Sequence, residues 1–310
     1  MHRRGIHEPI MGTFLEVRVT ADDELAAARA EDVIVATARD LAARLTVYDA
    51  GSELRRWRAG HEDRPGPDLG RLLTLAHGWH ARSGGIVHPA TSVVTDRWLR
   101  AAVDGTVPLD EELDALAAEL AVLPYTVVDG RPVRTADAVG VDLNAVAKGY
   151  VVDRAADAGA AMPEVHRVVV NAGGDLVHRG DGELGVAVED PRRPLDGAPP
   201  LVRIRVQHAA VATSGCSRRW FEVDGRRHSR VLDPRTARPV DHVAAATVVA
   251  PDAATADALA TVAVVAAPAE TFALLETLRA EAGGGPFAAL VIGADGRIHA
   301  DDAWDALAVT

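Results

Sequence analysis

Lys148 is the sole lysine among 310 residues; lysine and arginine total 33, so the other 32 are arginine. Asparagine occurs only at Asn144 and Asn171. All three rare residues fall in two short glycine-bearing segments, Asp142–Tyr150 (DLNAVAKGY) and Asn171–Asp175 (NAGGD). An ammonium is a compact point charge and a guanidinium a planar fork, so retention of one lysine in an arginine-rich chain points to a site that needs the former. Asp142–Tyr150 reads as a strand end followed by a helix start capped by Asn144, and a helix N-terminus attracts phosphate. Lys148 would add charge one turn in. Asp142 cannot favour a bare phosphate, so it would bond a sugar or base, or act through a metal. A capped helix with one salt-bridged lysine explains the segment almost as well.

In Asn171–Asp175, Gly173 and Gly174 permit close backbone approach to a ligand, or simply a tight turn between strands. Asp257 and Thr261 are four residues apart on an expected helix and share a face. A carboxylate and a hydroxyl so placed can hold a hard cation such as Mg²⁺. Alternatively, the threonine bonds back to a carbonyl while the aspartate faces water. Thr213-Ser214-Gly215 is either a phosphate or flavin contact or an ordinary strand end. Cys216 has no CxxC partner and reads as a packing residue.

The elements that must position these groups alternate strands with helices. Thr13–Thr20 alternates as a half-buried strand, and Asp22–Leu45 is an Ala-rich amphipathic helix. Asp49–Pro67 reads as a loop, Asp68–Arg82 as a helix stopped by Ser83-Gly84-Gly85, and Asp110–Leu120 as a short helix. Tyr125–Val128, Val133–Thr135 and Val139–Leu143 read as a meander with a turn at Asp129-Gly130. A helix over Asn144–Ala160 precedes strands at Val168–Asn171, Leu184–Glu189, Leu201–Val206, Trp220–Val223, His228–Leu232 and Ala244–Ala250. Helices at Asp252–Ala266 and Thr271–Ala282, then a hairpin of Ala288–Ile292 and Gly296–His299, close the chain. Antiparallel runs between helices predict an α+β fold with mixed or antiparallel sheets and packed helices, in a single compact unit over residues 1–310, the alternative being two interleaved subdomains.

Bulk composition narrows the function. The hydrophobic fraction, 48%, supports a sizeable core, and aromatic residues at 4% leave it to Ala, Val and Leu. A net charge of −12 argues against nucleic acid. A single cysteine excludes an internal disulfide. The longest apolar stretch, Leu259–Pro268, is too short to span a bilayer and reads as a buried helix. No apolar run follows the basic residues at the N-terminus, so no signal peptide is visible and a cytoplasmic location is expected. Neither Gly-x-Ser-x-Gly nor a zinc pattern is present.

Together these segments resemble the ApbE family, flavin transferases that use FAD to attach FMN to a protein. Met11-Gly12-Thr13 is similar to the family's opening motif, and Tyr48 with Ser52-Glu53-Leu54 to the segment that places an aromatic near the cofactor. Asp142–Tyr150, Asn171–Asp175, Thr213-Ser214-Gly215, Asp233-Pro234-Arg235-Thr236 and Ala256–Thr261 match further motifs, in order, from Met11 to about Ala266. The resemblance implies Mg²⁺ on Asp257, Thr261 and the carbonyl of Ala145. It implies FAD contacts from Met11, Tyr48, Val87, His88, Asp142, Lys148, Asn171, Gly173, Gly174, Asp175, Thr213, Ser214 and Gly215. A threonine hydroxyl of a partner protein would attack the FMN phosphorus, with AMP leaving. Such chemistry needs positioning and charge neutralisation more than covalent help.

Three segments depart from the family. Ile86-Val87-His88-Pro89-Ala90 has His and Ala where the family has Asp and Thr. Arg230 stands where the family has a histidine that is a candidate general base. Arginine cannot accept a proton, and His228, two residues earlier, is the expected substitute on the same strand face. Thr236-Ala237-Arg238-Pro239 has Ala for Gly. Lys148, His228 and Arg230 are therefore the expected catalytic group. Two other functions share the same residues, an FAD pyrophosphatase giving FMN and AMP and a non-catalytic FAD-binding protein. The family is often exported, which stands against the location inferred from the N-terminus.

Overall fold

The computed structural model describes residues 1–135, 138, 140–195, 197–216, 218–281 and 287–309. The chain opens as a hairpin of β1 (His2–Ile10) and β2 (Thr13–Ala21). α1 (Glu24–Leu45) follows, its N-cap Asp23 accepting from the Ala26 N–H. Next come α2 (Glu53–Arg58), α3 (Pro67–Arg82), α4 (Ser92–Asp104) and α5 (Asp110–Leu120). β3 (Tyr125–Val128) and β4 (Arg131–Arg134) form a hairpin around Asp129-Gly130, both at positive φ. α6 (Ala147–Ala160) leads into β5 (Val165–Ala172), β6 (Asp175–Gly180), β7 (Leu184–Val188), β8 (Val202–Val206) and β9 (Ala210–Gly215). Four short strands follow: β10 (Trp220–Val223), β11 (Arg226–Ser229), β12 (Leu232–Asp233) and β13 (Arg238–Pro239). β14 (Val243–Ala250), α7 (Ala253–Val265), α8 (Thr271–Glu281), β15 (Ala288–Gly293), β16 (Ile298–Ala300), α9 (Asp302–Asp305) and β17 (Ala308–Val309) complete the chain.

The fold is α+β. Its centre is an antiparallel sheet in the order β1-β2-β5-β6-β9-β14-β15-β16. Period-two alternation sorts the side chains to two faces. Val168 and Val170 of β5, with Leu15, Val17 and Val19 of β2, join the main core under α1, α6 and α7. Val169, Val211 and Val249 face the other way, into a smaller core closed by the β17-β8-β7 sheet and Trp304. A third cluster joins α4 and α5 to β10 and β12 through Trp98, Leu113, Phe221 and Leu232. α7 is apolar nearly all round and buried along almost its whole length, as expected of a helix between other elements.

Several expectations change. α2 interrupts the expected loop at 49–67, started by Ser52, whose hydroxyl accepts from the Arg55 N–H. α4 and the strands β1 and β6 were not foreseen. Residues 140–146 are not in a strand, so the meander stops at two strands; Val139, where the third was expected to begin, lies outside the described residues, as does Ala282. Asn144 does not cap α6. The Asp142 carboxylate takes the Asn144 N–H at 3.1 Å and Leu143 adopts φ +57°, so the chain turns before helix geometry can begin. α6 starts at Ala147 behind Val146, with no side-chain cap.

Candidate active site

Two hairpin turns lie side by side because β2 pairs with β5, Leu15 opposite Ala172. One turn is Met11-Gly12, at φ +54° and +76°; the other is Gly173-Gly174, at φ +59° and +101°. Glycine at 173 is required twice over. The left-handed backbone disfavours a side chain, and a Cβ there would lie 2.6 Å from Thr13 Oγ1. Asn171 Oδ1 accepts from the Gly174 N–H at 3.2 Å and closes the turn. The turn delivers Asp175, 1% exposed, to the first position of β6.

The N-terminal ends of α6 and α7 meet beside this turn. Gly149 makes that possible: a Cβ on it would sit 2.3 Å from the Ala253 carbonyl oxygen. Lys148, on the first turn of α6, places Nζ 3.0 Å from Asp175 Oδ1. The ammonium pairs with Asp175 by charge without an aligned hydrogen bond, and the Asp257 carboxyl also bears on the two sealed Asp175 oxygens. Asp257 is buried and takes one long contact, 3.4 Å from the Gly149 N–H to Oδ2. The water-facing reading of Asp257 is thereby overturned. Burial raises the pKa of Asp175, with Lys148 opposing; burial and then the Asp175 charge raise that of Asp257 well above the carboxylate range. Lys148 is nonetheless held above the ordinary lysine value, its two carboxylate neighbours outweighing its burial. Thr261 lies one turn beyond Asp257 on α7 and, like Ala145, is half-buried.

Asp142 sits on the loop before α6. Its Oδ2 accepts from Thr91 Oγ1 at 2.8 Å, and its own N–H reaches the Pro89 carbonyl at 3.0 Å. Burial raises its pKa to about 6, against the lowering pull of the Asn144 N–H, the Thr91 hydroxyl and Arg58. Leu143 holds its left-handed backbone at a cost of about 1 kcal/mol. In the adjoining 86–90 loop, Val87 is buried and its N–H donates to Ser83 Oγ at 3.0 Å. His88 is also buried: Nδ1 accepts from the Ala90 N–H at 3.1 Å and Nε2 reaches the Leu120 carbonyl at 2.8 Å. Those partners assign the neutral Nε2–H tautomer. Desolvation lowers the pKa to about 4, and neither ring nitrogen is free for a ligand. Tyr48 is the opposite case, 94% exposed, an open aromatic face.

The remaining expected residues lie on β9 and the β10–β11 hairpin. Thr213 Oγ1 is 2.9 Å from Thr247 Oγ1 across the β9–β14 pair, and Ser214 and Gly215 are half-buried. Cys216 receives the Ser229 hydroxyl at 2.8 Å, and burial raises its pKa, which fits a packing residue. His228 pairs in register with Phe221; its ring lies 5.2 Å from that of Trp98, and Nε2 is sealed without a partner. Arg230 falls just past β11, its guanidinium 4.8 Å over the Phe221 ring. His228 and Arg230 thus share one aromatic support. Ala237 keeps φ +57° despite its side chain, its carbonyl held by Trp98 Nε1 at 2.9 Å.

Lys148, Asp175 and Asp257 are therefore brought together, with Gly149, Gly173 and Gly174 shaping the space around them. Sequence reasoning missed Thr91, Asp153, Arg179 and Arg58. Asp153 accepts the Ala253 and Ala254 N–H groups, both at 2.9 Å, and Arg179 Nη2 at 3.2 Å, so it fastens α6 to the start of α7. An aspartate within the apolar face of α6 was the available signal.

The ApbE family model matches residues 11–283. The FAD:protein FMN transferase of Rhodobacter capsulatus is 32% identical over 263 residues, covering 81% of this chain and 49% of that protein. Its Escherichia coli K12 counterpart is 27% identical over 262 residues, covering 80% and 74%. This chain thus spans about half of the first relative and about three quarters of the second. The fold matches the crystal structure of the ApbE protein of Thermotoga maritima with TM-score 0.82 at 23% identity, over 100% of both chains. It matches the apo flavinyl transferase ApbE of Pseudomonas stutzeri with TM-score 0.77 at 24% identity, over 99% of this chain and 97% of that one. With the family model covering most of its length, this chain belongs to the ApbE family.

Proposed function

We propose that this chain is an FAD:protein FMN transferase that moves FMN from FAD to a threonine hydroxyl of an acceptor protein and releases AMP. The observation that carries the reading is the half-buried Lys148 beside the buried Asp175 and Asp257, with the sealed Asp175 oxygens short of aligned donors beside two glycine turns. Isolated buried charge is costly unless something compensates it.

A divalent cation fits this donor set. No cluster of three His, Cys, Asp or Glu side chains suited to a metal occurs among the described residues. A sparse site completed by waters and phosphate oxygens suits Mg²⁺, with Asp257, Thr261 and the Ala145 carbonyl as its protein ligands. When bound, the cation would neutralise charge on the FAD diphosphate. Lys148, kept cationic by Asp175, adds fixed positive charge where the phosphates lie. The glycine turns let backbone come close to the nucleotide, and Tyr48 offers a face for stacking. The acceptor Oγ–P bond forms as the bond from phosphorus to the AMP oxygen breaks, and the threonine proton must go to a base. His228 is our candidate, as the one group of the catalytic trio able to accept a proton; Arg230 beside it cannot.

Purified protein incubated with FAD and Mg²⁺, with and without a threonine-bearing flavin-acceptor domain, tests the reading. Covalent flavin fluorescence on the acceptor with matching AMP supports it. Free FMN and AMP with no adduct would instead assign FAD hydrolysis, and intact FAD in both tubes a binding protein. Arg230→His should raise the transfer rate; an unchanged or lower rate would show that Arg230 belongs to an arrangement of this chain's own.

A further inference from the structure

Arg58, in the last turn of α2, is the one arginine among the buried residues described, at 8% exposure. It makes no hydrogen bond and no ion pair among the described residues, unlike the buried Glu31, Glu53 and Asp153. Its nitrogens are also absent from the fully sealed unpaired atoms, so they keep contact with a solvent opening. The charges it feels are Arg55, of like sign, and then Asp142 and Asp96, and Asp142 feels Arg58 in return, yet Arg58 and Asp142 do not close into an ion pair. Asp142 has one donor on each oxygen, Thr91 on Oδ2 and Asn144 on Oδ1. Each carboxylate oxygen has two acceptor sites, so one remains on each, while Arg58 has all five donors open. A buried guanidinium without a partner is unfavourable, and an opposite charge that does not close into an ion pair relieves it only in part.

Resting on the proposed function, we propose that Arg58 and Asp142 together read the edge of one of the two ring systems of FAD. The matching chemistry is a conjugated ring that presents an N–H beside a hydrogen-bond acceptor, the N–H to Asp142 and the acceptor to Arg58. Both the pyrimidine edge of isoalloxazine and the amino edge of adenine have that pattern. A phosphate does not, because it would face the Asp142 carboxylate. Arg58 is thus a specificity-determining residue at the opposite sign from Asp142, and Lys148 is left to the phosphates.

The test is FAD, riboflavin and adenosine binding to wild type, Arg58→Met and Arg58→Lys, by titration calorimetry, with melting temperatures taken without ligand. A charge-assisted hydrogen bond is lost in Arg58→Met, so FAD affinity should fall about ten- to a hundred-fold. The same loss should appear for one of riboflavin or adenosine, which names the ring, and Arg58→Lys should recover part of it. The ligand-free melting temperature should hold or rise, since an unpaired buried charge has been removed. Unchanged FAD affinity would overturn the proposal, as would a loss for FAD that neither nucleoside shares, which would put Arg58 on the diphosphate. A fall in the ligand-free melting temperature would overturn it too, by assigning Arg58 to the fold. A wild type that binds no FAD would defeat the functional reading itself, and that arm is read before any variant.

Discussion

α6 carries two buried acidic neighbourhoods little more than one turn apart, and they are built in opposite ways. Around Asp153 every demand is met: two N–H groups of the first turn of α7 and one arginine arm converge on its oxygens. Around Asp175 and Asp257 the demands are met less fully, by one unaligned lysine, one long N–H contact and the contact of the two carboxyls with each other. Both places desolvate charge, and all three carboxylates titrate high because of it. What separates them is completeness of hydrogen bonding, which is why Asp153 reads as a fastening and Asp175–Asp257 as a site.

The largest effect that would break this contrast is on turnover. Asp257→Ala should lower Mg²⁺-dependent transfer by roughly a thousand-fold, because charge neutralisation at the diphosphate is lost. Melting without ligand should hold or rise, as a buried acid whose ionisation burial opposes is gone. Retained activity with ordinary metal dependence would refute the assigned role.

Asp153→Ala should do the converse. It leaves two N–H groups at the start of α7 without acceptors and should cost about 2 kcal/mol of stability at pH 5, with metal dependence of the remaining activity unmoved. The pH dependence has a definite sign. The folded pKa of Asp153, about 7, lies above its ordinary 3.8. Native protein therefore binds more protons between those values, and the Asp153 contribution is largest below 3.8 and declines up to about 7. Denaturant melts of wild type and variant should show a stability gap that narrows over that range and is flat above it. A gap that widens would mean the carboxylate is stabilised in its charged form.

His88 sharpens the comparison as a second fully partnered group. Its ring should remain the neutral Nε2–H tautomer down to about pH 4, seen in ¹⁵N chemical shifts. Its contribution to stability is complete above 6.5 and is lost as pH falls toward 4. Protonation near 6.5 would show a ring open to solvent and return it to the ligand site. The smallest effect concerns Ala237. Relief of its left-handed backbone and the greater freedom of glycine in the unfolded chain nearly cancel, so Ala237→Gly should shift stability by less than about 1 kcal/mol. A larger loss would place the burden of that turn on the buried methyl group.

Much of the fold was legible in local pattern. α5 was anticipated over Asp110–Leu120 and β14 within a residue, because apolar period and turn residues agree there. The burial of α7 followed from its composition alone. The helix start at Asn144 misled because the residue has the right chemistry for a cap, while Asp142 two positions earlier competes for its N–H. Short or weakly patterned elements such as α2 and α4 depend on what covers them. The departures also resolved unequally. His88 is a buried strut, Ala237 adopts a left-handed backbone despite its side chain, and Arg230 lies over Phe221 with His228 packed on Trp98 nearby.

The sequence by itself determined the family, the α+β alternation and the rare residues around which the proposed site was sought, because these depend on residue type and on order along the chain. Only the tertiary structure decided that Lys148 meets Asp175, that Gly149 lets α6 touch α7, and that Asp153 is satisfied where Asp257 is not. Those outcomes depend on which donors reach a carboxylate once water is excluded. That is set by strand register and helix contact between residues as much as 108 positions apart, as for Gly149 and Asp257.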